Sequence, residues 1–581
     1  MFSPVLSVLN NKKKNKYPVR IFNQRTDVIK QVNKGVTLLL FLWMCCGLMF
    51  VLPNHGGAGL ALPQNLLAWS VMSLAALWCI YLFSWQGKAE PVLPPGSALI
   101  IAGAVFWSLP LLWSPRTDWQ FNAIPKVAAL WGMVGFYILL LCTTSCSRLR
   151  SRWLLIIVCA ALMQAAYALW QVQNLAELPR GRPYGSFQQT NVLASFLATG
   201  LACALWIFVQ KRERFRRYIS GTVLFVIPLV MVILQSRAGN IGAIASVLML
   251  LLLVIKHKKN HAVLAITIMA AGTAMGLFWL YAGPLLFPDI TPSLKPSSTL
   301  SRLTMLKLTW QLIQHHPVAG NGYGSFEVLY GQQARLLPLG LDNDTIPYPH
   351  NEFLYAWAEG GLAAVLGILL MVAGVFRRLW SRGGTKFAGA ALLVPLAVHI
   401  NLEYPLYQSA THGLMLIMLL VVNGPRVIKE KVCGERQKPY GWLWRIALGA
   451  PVLAILVFML TGVQTQARLT AIEEQNLLPL VGDEQHTVSS LLNPYSQFTR
   501  LDFDRHVALL VRFNFTHDPA LLDRFREWGE DYLRVHNDPS VYYSLITIMR
   551  AQHRPELNEL CIRAQRMWLE DPRFICPETA E

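Results

Sequence analysis

The chain has 581 residues, of which 54% are hydrophobic and only 14% are charged. A soluble globular protein carries about 25% charged residues, so this composition excludes a disordered, fibrous or simple soluble protein and indicates a polytopic membrane protein. The net charge of +19 comes from short Lys and Arg clusters between apolar runs, a pattern that sets orientation in a membrane and argues against nucleic-acid binding.

The chain begins with a basic leader, residues 1–34, which precedes a first apolar run at 36–52. A cleaved signal peptide would start nearer the N-terminus and end in small residues, so we predict an uncleaved first span with its leader in the cytoplasm. Further apolar runs predict about 13 spans, with 12 to 14 allowed. They lie at 66–83, 97–113, 123–142, 153–172, 191–210, 219–234, 241–255, 262–287, 351–375, 387–400, 409–423 and 442–463.

The loops between these runs alternate between Lys/Arg-rich and Lys/Arg-poor segments. By the positive-inside rule, the N-terminus is cytoplasmic and the C-terminus lies outside. We therefore predict an all-α polytopic helical bundle in a membrane. Its transmembrane domain covers 35–463 and includes a large outer loop at 288–350.

The tail, residues 464–581, is polar and predicts a helical periplasmic domain. Residues 538–572 are typical of a helical hairpin and resemble a tetratricopeptide unit. Cys561 and Cys576 lie in this polar region, where a disulfide between them is one possibility if the compartment is oxidising.

The most informative motif is PYPHNEFLYAWAEGG, at residues 347–361. It puts His350 and Asn351 at the outer mouth of a predicted transmembrane helix, whose dipole disfavours a protonated imidazole. Glu352 follows in the first turn. A neutral His350 could act as a base toward a hydroxyl group. A simple role as the cap of its helix is the competing interpretation, and the sequence leaves both open.

Two arginines also stand at the outer face. Arg302 belongs to an amphipathic segment at 301–327, where it either binds an anion or remains a solvated surface charge. Arg237, in LQSRAGNIGA at 234–243, has either a lipid phosphate or a substrate diphosphate as its partner.

Three further outer positions carry polar side chains close to the ends of spans. The segment GRPYGSFQQTNVLASF, 181–196, contains Arg182, Gln188 and Asn191. The segment HINLEYPLYQ, 399–408, contains His399, Glu403, Tyr404 and Tyr407. Asn191 could instead cap its helix, and Lys126 either reaches the lipid headgroups or faces the site.

The order of these motifs resembles the O-antigen ligase and polymerase superfamily. The matching elements are GSFQQTN, SRAG, the arginine of the loop helix with the following HPVAGNGYGSF, PHNEFLYAWAEGG and EYPL. GSFQQTN, EYPL and the polar tail are more similar to its protein O-oligosaccharyltransferase branch, the PglL type. Thr190 stands where that branch has proline. The resemblance runs from about residue 120 to the end of the chain.

The resemblance implies a location in the bacterial inner membrane and a glycan donor carried on undecaprenyl diphosphate at the periplasmic leaflet. It implies a Ser or Thr of an exported protein, such as a pilin, as the acceptor, and no metal or other cofactor. The family's motif residues fall on His350, Arg237 and Arg302, which are the predicted catalytic residues. The predicted substrate-binding residues are Arg182, Gln188, Asn191, Lys126, Asn351, Glu352, Glu403 and Tyr404.

In the predicted mechanism, His350 accepts the proton of the acceptor hydroxyl or orients that hydroxyl, and the arginines neutralise the departing diphosphate. An O-antigen ligase that uses a lipid A core sugar as acceptor is the nearest alternative. A lipid or glycan transporter that is not an enzyme is the alternative from another class. It would require paired ionisable residues at mid-membrane and repeated broken helices.

Overall fold

The protein is built from α-helices joined by turns and loops. The computed structural model describes residues 30–84, 93–143, 147–173, 178, 181–210, 213–286, 299–334, 345–380, 386–424, 441–569 and 571–576. No β-strand occurs among these residues, and the all-α polytopic prediction is confirmed.

Ten described helices are long and apolar enough to cross a membrane, and three shorter apolar helices accompany them. The ten are α1 (Lys30–Met49), α2 (Pro63–Ser84), α4 (Thr117–Thr143), α5 (Ser147–Gln171), α6 (Thr190–Val209), α7 (Arg214–Leu234), α8 (Arg237–Val254), α9 (Lys259–Leu286), α12 (Glu352–Trp380) and α16 (Gly441–Glu474). The three are α3 (Ser97–Ser108), α13 (Lys386–Leu402) and α15 (Ala410–Asn423). Each of the 13 coincides with one of the predicted apolar runs.

The centre of the bundle is α6, which is buried along almost its whole length. It packs against α5, α7, α8 and α13. Small residues permit the close approach: a side chain at Gly200 would collide with Ala161, and one at Gly239 with Ala194. The buried position of α6 fixes its first residues, Thr190 and Asn191, at one end of the bundle. We call this the site end, where α6, α8 and α12 begin and α13 ends.

Helix α12 is broken inside the bundle at Gly361, whose φ of 61° and ψ of −154° are not helical. The break leaves backbone groups without helical partners, and a preceding glycine-rich turn supplies them. Asn321 N donates to Ala358 O, Gly322 N donates to Glu359 O, and the N–H of the residue after Gly361 donates to Val318 O, each at 2.9 Å. Irregular backbone at membrane depth is tolerated when it is buried and hydrogen-bonded in this way.

Shorter helices cover the site end. They are α10 (Thr299–His315), α11 (Phe326–Ala334) and α14 (Pro405–Gln408). The tail contributes α17 (Leu478–Gly482), α18 (Glu484–Ser489), α19 (Phe498–Thr516), α20 (Pro519–Tyr532), α21 (Pro539–Ala551) and α22 (Leu557–Met567). The hairpin predicted for 538–572 is the pair α21 and α22, which buries Tyr542 and Ile546 against Ala564 and Met567.

Several hydrogen bonds tie the tail to the rest of the chain. Asn537 N donates to Oε1 of Glu327 on α11 at 2.8 Å, and Gln497 Nε2 donates to Leu60 O at 2.6 Å. Within the tail, the predicted disulfide is present: Cys561 and Cys576 are bonded, and their Cα atoms lie 5.8 Å apart.

Candidate active site

A buried carboxylate, Glu403, lies at the centre of the site. It follows the last residue of α13, and only 1% of its side chain is exposed. Arg302 on α10 donates from Nη2 to Oε1 at 2.6 Å, and Asn191 on α6 donates to the same oxygen from Nδ2. His399, one turn earlier on α13, holds Nε2 3.7 Å from Oε2. Three separate elements therefore converge on one side chain.

The surroundings keep Glu403 ionised. Burial alone would raise its pKa, but the neighbouring imidazoles of His399 and His350 and the charge of Arg302 outweigh burial and hold the pKa below its usual range. Within the described part of the chain, Oε2 of Glu403 has no hydrogen-bond partner. This oxygen is a buried acceptor that can receive a hydrogen bond.

His350 occupies the turn just ahead of α12. Its backbone has a left-handed φ of 56°, unusual for a residue other than glycine. The next residue, Asn351, caps the helix: its Oδ1 accepts from Leu354 N at 2.9 Å, and its Nδ2 donates to Asn401 O at 3.1 Å. Asn351 therefore caps α12, and the interpretation of His350 as the helix cap is not needed.

The imidazole of His350 is arranged as a neutral base. Burial and the charge of Arg302 lower its pKa, against the opposing charge of Glu403. The backbone of Leu402 also raises the pKa, but less than burial lowers it, and Nδ1 is buried without a partner among the described residues. A neutral imidazole carries its hydrogen on one nitrogen only, so Nδ1 can accept a proton when the hydrogen is on Nε2.

Aromatic rings form a wall beside His350. The ring centroid of Tyr404 lies 5.0 Å from that of His350, and the ring of Tyr348 lies 4.7 Å from Tyr404 and 4.8 Å from Tyr407. The hydroxyl of Tyr407 donates to Oε1 of Glu352 at 2.9 Å, so this carboxylate holds the wall in place. Such a wall limits water access to the imidazole and fixes its orientation.

The lysine predicted for the site has a buried partner instead. Lys126 forms an ion pair with Glu359 on α12, and the two side chains are 10% and 2% exposed. Its ammonium lies 4.2 Å from the ring centroid of Tyr323. Glu359 also accepts from Gly324 N at 3.0 Å and from Phe326 N at 3.1 Å. The pair anchors the glycine-rich turn at the break in α12.

Two further arginines lie at the site end. Arg237 is the exposed first residue of α8, which Ser236 caps through the backbone of Gly239 at 3.3 Å. Helix α8 packs along α13, whose end carries the Glu403 cluster. Arg182 is buried and donates from Nη1 to Leu234 O at 3.3 Å, at the end of α7.

The turn before α6 carries the remaining predicted residues. Asn191 does not cap this helix, because the cap position is Gln189 and no side chain bonds there. Gln188 has a left-handed φ of 56°, and its Oε1 is buried without a partner in the described residues. Asn191 thus joins the Glu403 cluster, while Gln188 lies beside it.

Two residues were missed by sequence reasoning. Tyr348 forms part of the aromatic wall, and its position between Pro347 and Pro349 was an available signal, since the prolines restrict its backbone. His412 lies in α15, with Nε2 3.0 Å from Oγ of Ser195 on α6. The sequence could not indicate the contact between His412 and Ser195, because 217 residues separate the two side chains.

Three family models match the sequence. The model described as O-antigen ligase covers residues 222–369, which include Arg237, Arg302 and His350. The model described as virulence factor membrane-bound polymerase, C-terminal, covers 387–570, which include Glu403 and Tyr404. The model described as protein glycosylation ligase covers 183–208, the segment with Gln188 and Asn191. A search of curated proteins found no match.

Proposed function

Because the chain belongs to the superfamily of O-antigen ligases and protein glycosylation ligases, we propose that it transfers a preassembled glycan from undecaprenyl diphosphate to a Ser or Thr of an exported protein such as a pilin. Glycan transfer to an acceptor is the activity of these families. The observation that carries the proposal is the buried, unpartnered Nδ1 of neutral His350 next to the Arg302–Glu403 pair.

In the proposed step, the acceptor oxygen forms a bond to the anomeric carbon while the bond from that carbon to the diphosphate breaks. Nδ1 of His350 takes the proton of the acceptor hydroxyl, and undecaprenyl diphosphate departs as an anion. A positioned proton acceptor contributes about 10²–10⁴-fold to such a rate. A single direct displacement inverts the anomeric configuration.

The arginines would stabilise the departing diphosphate. Arg302 uses Nη2 for Glu403, and the 29% exposure of its side chain leaves other guanidinium N–H groups accessible. Arg237 is exposed at the same end of the bundle. Each charge-assisted contact that strengthens in the transition state contributes about 2–4 kcal/mol. We assign Arg237 and Arg302 to direct contact with the diphosphate. Arg182 and Lys126, which already have partners in Leu234 and Glu359, would add positive charge from further away.

We propose that the site end faces the periplasm and that the tail lies in the same compartment. The alternation of Lys/Arg-rich loops supports this orientation. The Cys561–Cys576 disulfide supports an oxidising compartment for the tail. A reporter that is active only in the cytoplasm, fused after the last residue, is expected to be silent; activity of that fusion would reverse the topology.

The tail favours a protein as the acceptor. Through Asn537 it contacts Glu327 on α11, which lies in the same loop region as Arg302 and His350. A protein bound to the tail would therefore be held near the base. An O-antigen ligase would use the same His and Arg residues with a lipid A core sugar, and the experiment below separates the two acceptors.

A transporter is disfavoured by the interior of the bundle. In transporters, broken helices expose backbone groups to substrate or ions at mid-membrane. The described residues do contain a break, at Gly361, and a buried ion pair beside it, Glu359 with Lys126. Hydrogen bonds from the turn at 318–322 close this break, so its backbone groups are not offered to a substrate.

The deciding experiment is co-expression of the chain with a pathway that makes a lipid-linked glycan and with a candidate pilin. Glycosylated pilin and glycosylated lipid A core are measured separately. We expect glycosylated pilin, and its loss in His350→Ala but not in His486→Ala, which removes an exposed histidine of the tail. Glycosylated lipid A core without glycosylated pilin would replace the proposal with the ligase alternative.

A further inference from the structure

An apolar turn lies between α18 and α19 in the otherwise polar tail, at residues 490–498. It contains a short 3₁₀ helix, Pro494–Gln497, and ends at the first residue of α19. Three of its side chains are large, apolar and exposed: Leu492 at 67%, Tyr495 at 79% and Phe498 at 63%. The two rings are three residues apart, the repeat of a 3₁₀ helix, so they share one side. We call this segment the aromatic turn.

Hydrogen bonds hold the aromatic turn against α16, close to the end of the apolar run at 442–463. Asn493 Nδ2 donates to Phe458 O at 3.0 Å, and Asn493 N donates to Thr465 Oγ1 at 2.9 Å. Phe458 lies five residues before the end of that run, about 8 Å by helix rise. The aromatic turn is therefore level with the end of the apolar part of α16.

The start of α2 indicates the same level independently. Gln497 Nε2 donates to Leu60 O at 2.6 Å, and α2 begins three residues later, at Pro63. Helices α2 and α16 pack against each other, so the start of one and the end of the apolar part of the other mark the same edge of the bundle. This edge is the site end, because Asn65 on α2 donates to Gln408 O there at 3.2 Å.

The surface of α16 beside the aromatic turn faces lipid. Only 11% of the residues in the most apolar stretch of α16 are buried. Leu453, Val457 and Leu460 are exposed and share one face at helical spacing. Phe458 and Thr461, which follow the last two of these residues directly, accept hydrogen bonds from the aromatic turn. The apolar side chains of the turn thus continue the lipid-facing surface of α16.

We infer that the aromatic turn docks into the surface of the bilayer at the site end, with its apolar side chains between the headgroups and the acyl chains. An apolar face flanked by polar residues is typical of segments that lie in this boundary. Tyrosine is enriched there, because its ring is apolar and its hydroxyl can stay among the headgroups. Leu492 and Phe498 leave water on docking, which favours the bound state. Docking gives the tail a lipid contact at the start of α19.

The chain contains a matched control for this contact in Leu478. Helix α16 continues for eleven residues beyond its apolar run, about 16 Å by helix rise, and Leu478 begins the next helix, α17. The side chain of Leu478 is 51% exposed, comparable to Leu492. An interfacial segment enters the boundary by only about 5–10 Å, so Leu478 lies beyond the reach of lipid.

The test uses the photoreactive amino acid p-benzoylphenylalanine, which replaces Leu492, Tyr495 or Leu478 in three separate variants of the full chain. Each variant is placed in nanodiscs of palmitoyl-oleoyl phosphatidylglycerol and irradiated, and the benzophenone group bonds to a C–H group that it contacts. Mass spectrometry of the intact chain gives the fraction that carries a phospholipid. Since only the first two positions lie within the boundary, we expect each to carry at least about 5-fold more phospholipid than the Leu478 position.

The three replaced side chains are exposed, so the larger group needs no space in the core. Equal thermal unfolding of the three variants is the check that the fold is kept. Equal phospholipid labelling at Leu492 and Leu478 would overturn the inference.

Irradiation of the same variants in intact cells tests the other occupants of this face. We expect phospholipid adducts again at Leu492 and Tyr495. Adducts with a second copy of the chain or with an exported protein, in place of phospholipid, would overturn the inference and make the aromatic turn a protein-docking surface. Glycan transfer is measured in neither arm, so the result is independent of the proposed function.

Discussion

The guanidinium of Arg302 lies 2.6 Å from the carboxylate of Glu403, although 101 residues separate them in the chain. The contact joins α10, which lies in the large loop, to the end of α13 in the bundle. It places a cation next to His350 while keeping the buried Glu403 ionised. The proposed reaction therefore depends on the docking of a loop onto a membrane helix.

The first prediction concerns the base. His350→Ala and His350→Asn should each reduce glycan transfer by about 10²–10⁴-fold while leaving the protein inserted and abundant. The substitution removes the Nδ1 acceptor, and α12 keeps its own cap on Asn351. Transfer is measured on purified protein with a lipid-linked donor. Asn351→Ala is the structural comparison, expected to cost about 1 kcal/mol of stability. Near-normal transfer by His350→Asn would refute the assignment of His350 as the base.

The second prediction concerns pH. Burial holds the pKa of His350 below its usual 6.5. Since the base must be unprotonated, the transfer rate should be constant above that lowered pKa and should fall only as the pH drops through it. Glu403 raises the pKa of His350, so Glu403→Gln should move the decline to still lower pH. The measurement is the rate as a function of pH, and a midpoint above 6.5 would contradict the prediction.

The third prediction separates charge pairing from chemistry at Arg302. Arg302→Ala leaves Glu403 with one donor fewer in a buried setting and should cost about 1–3 kcal/mol of stability. Arg302→Met combined with Glu403→Gln removes both charges, so it should recover most of that stability. Transfer should stay low in the double variant because the diphosphate has lost its cation. Thermal unfolding and transfer are measured together; recovery of both would mean that the pair is purely structural.

The fourth prediction concerns Lys126. Lys126→Met leaves Glu359 buried and unpaired, which should cost about 3–5 kcal/mol of stability. Lys126→Met with Glu359→Gln should regain abundance. Transfer per folded molecule in the double variant then measures any direct contact of Lys126 with the donor. The structural position of the pair leads us to expect a loss of less than about 10-fold, a smaller effect than removal of one transition-state donor.

The fifth prediction concerns Arg237. A diphosphate engages the planar fork of arginine better than the point charge of lysine, so Arg237→Lys should slow transfer by about 10-fold or more. The control is Arg468→Lys, at an exposed position on α16. Equal rates for the two variants would assign Arg237 to lipid headgroups.

The spans and the main motif were predictable, but the way the site is assembled was not. The span positions follow from apolar runs of sufficient length, and they depend little on tertiary contacts. His350 could be singled out because a polar motif follows two prolines at the start of such a run. The partners of Glu403 come from α6, α10 and α13, and no local pattern indicates which distant donors meet one carboxylate.

Two other features show the same limit. Lys126 and Glu359 were both visible as charges near or within spans, but their pairing depends on how α4 and α12 pack across 233 residues of sequence. The break in α12 was marked by Gly360 and Gly361, yet glycine pairs also occur in unbroken membrane helices. The break became visible only in the folded chain, from the φ and ψ of Gly361 and from its contact with the turn at 318–322.

The break in α12 is closed by a turn that comes earlier in the sequence, and this order matters during biosynthesis. The turn that closes the break, residues 318–322, is synthesised before the helix that needs it. An unclosed break would leave peptide groups unsatisfied in lipid at several kcal/mol each. During biosynthesis the turn must therefore be available to α12 when that helix leaves the insertion machinery. Slow formation of that turn would delay assembly of the second half of the protein, even if every later segment were ready.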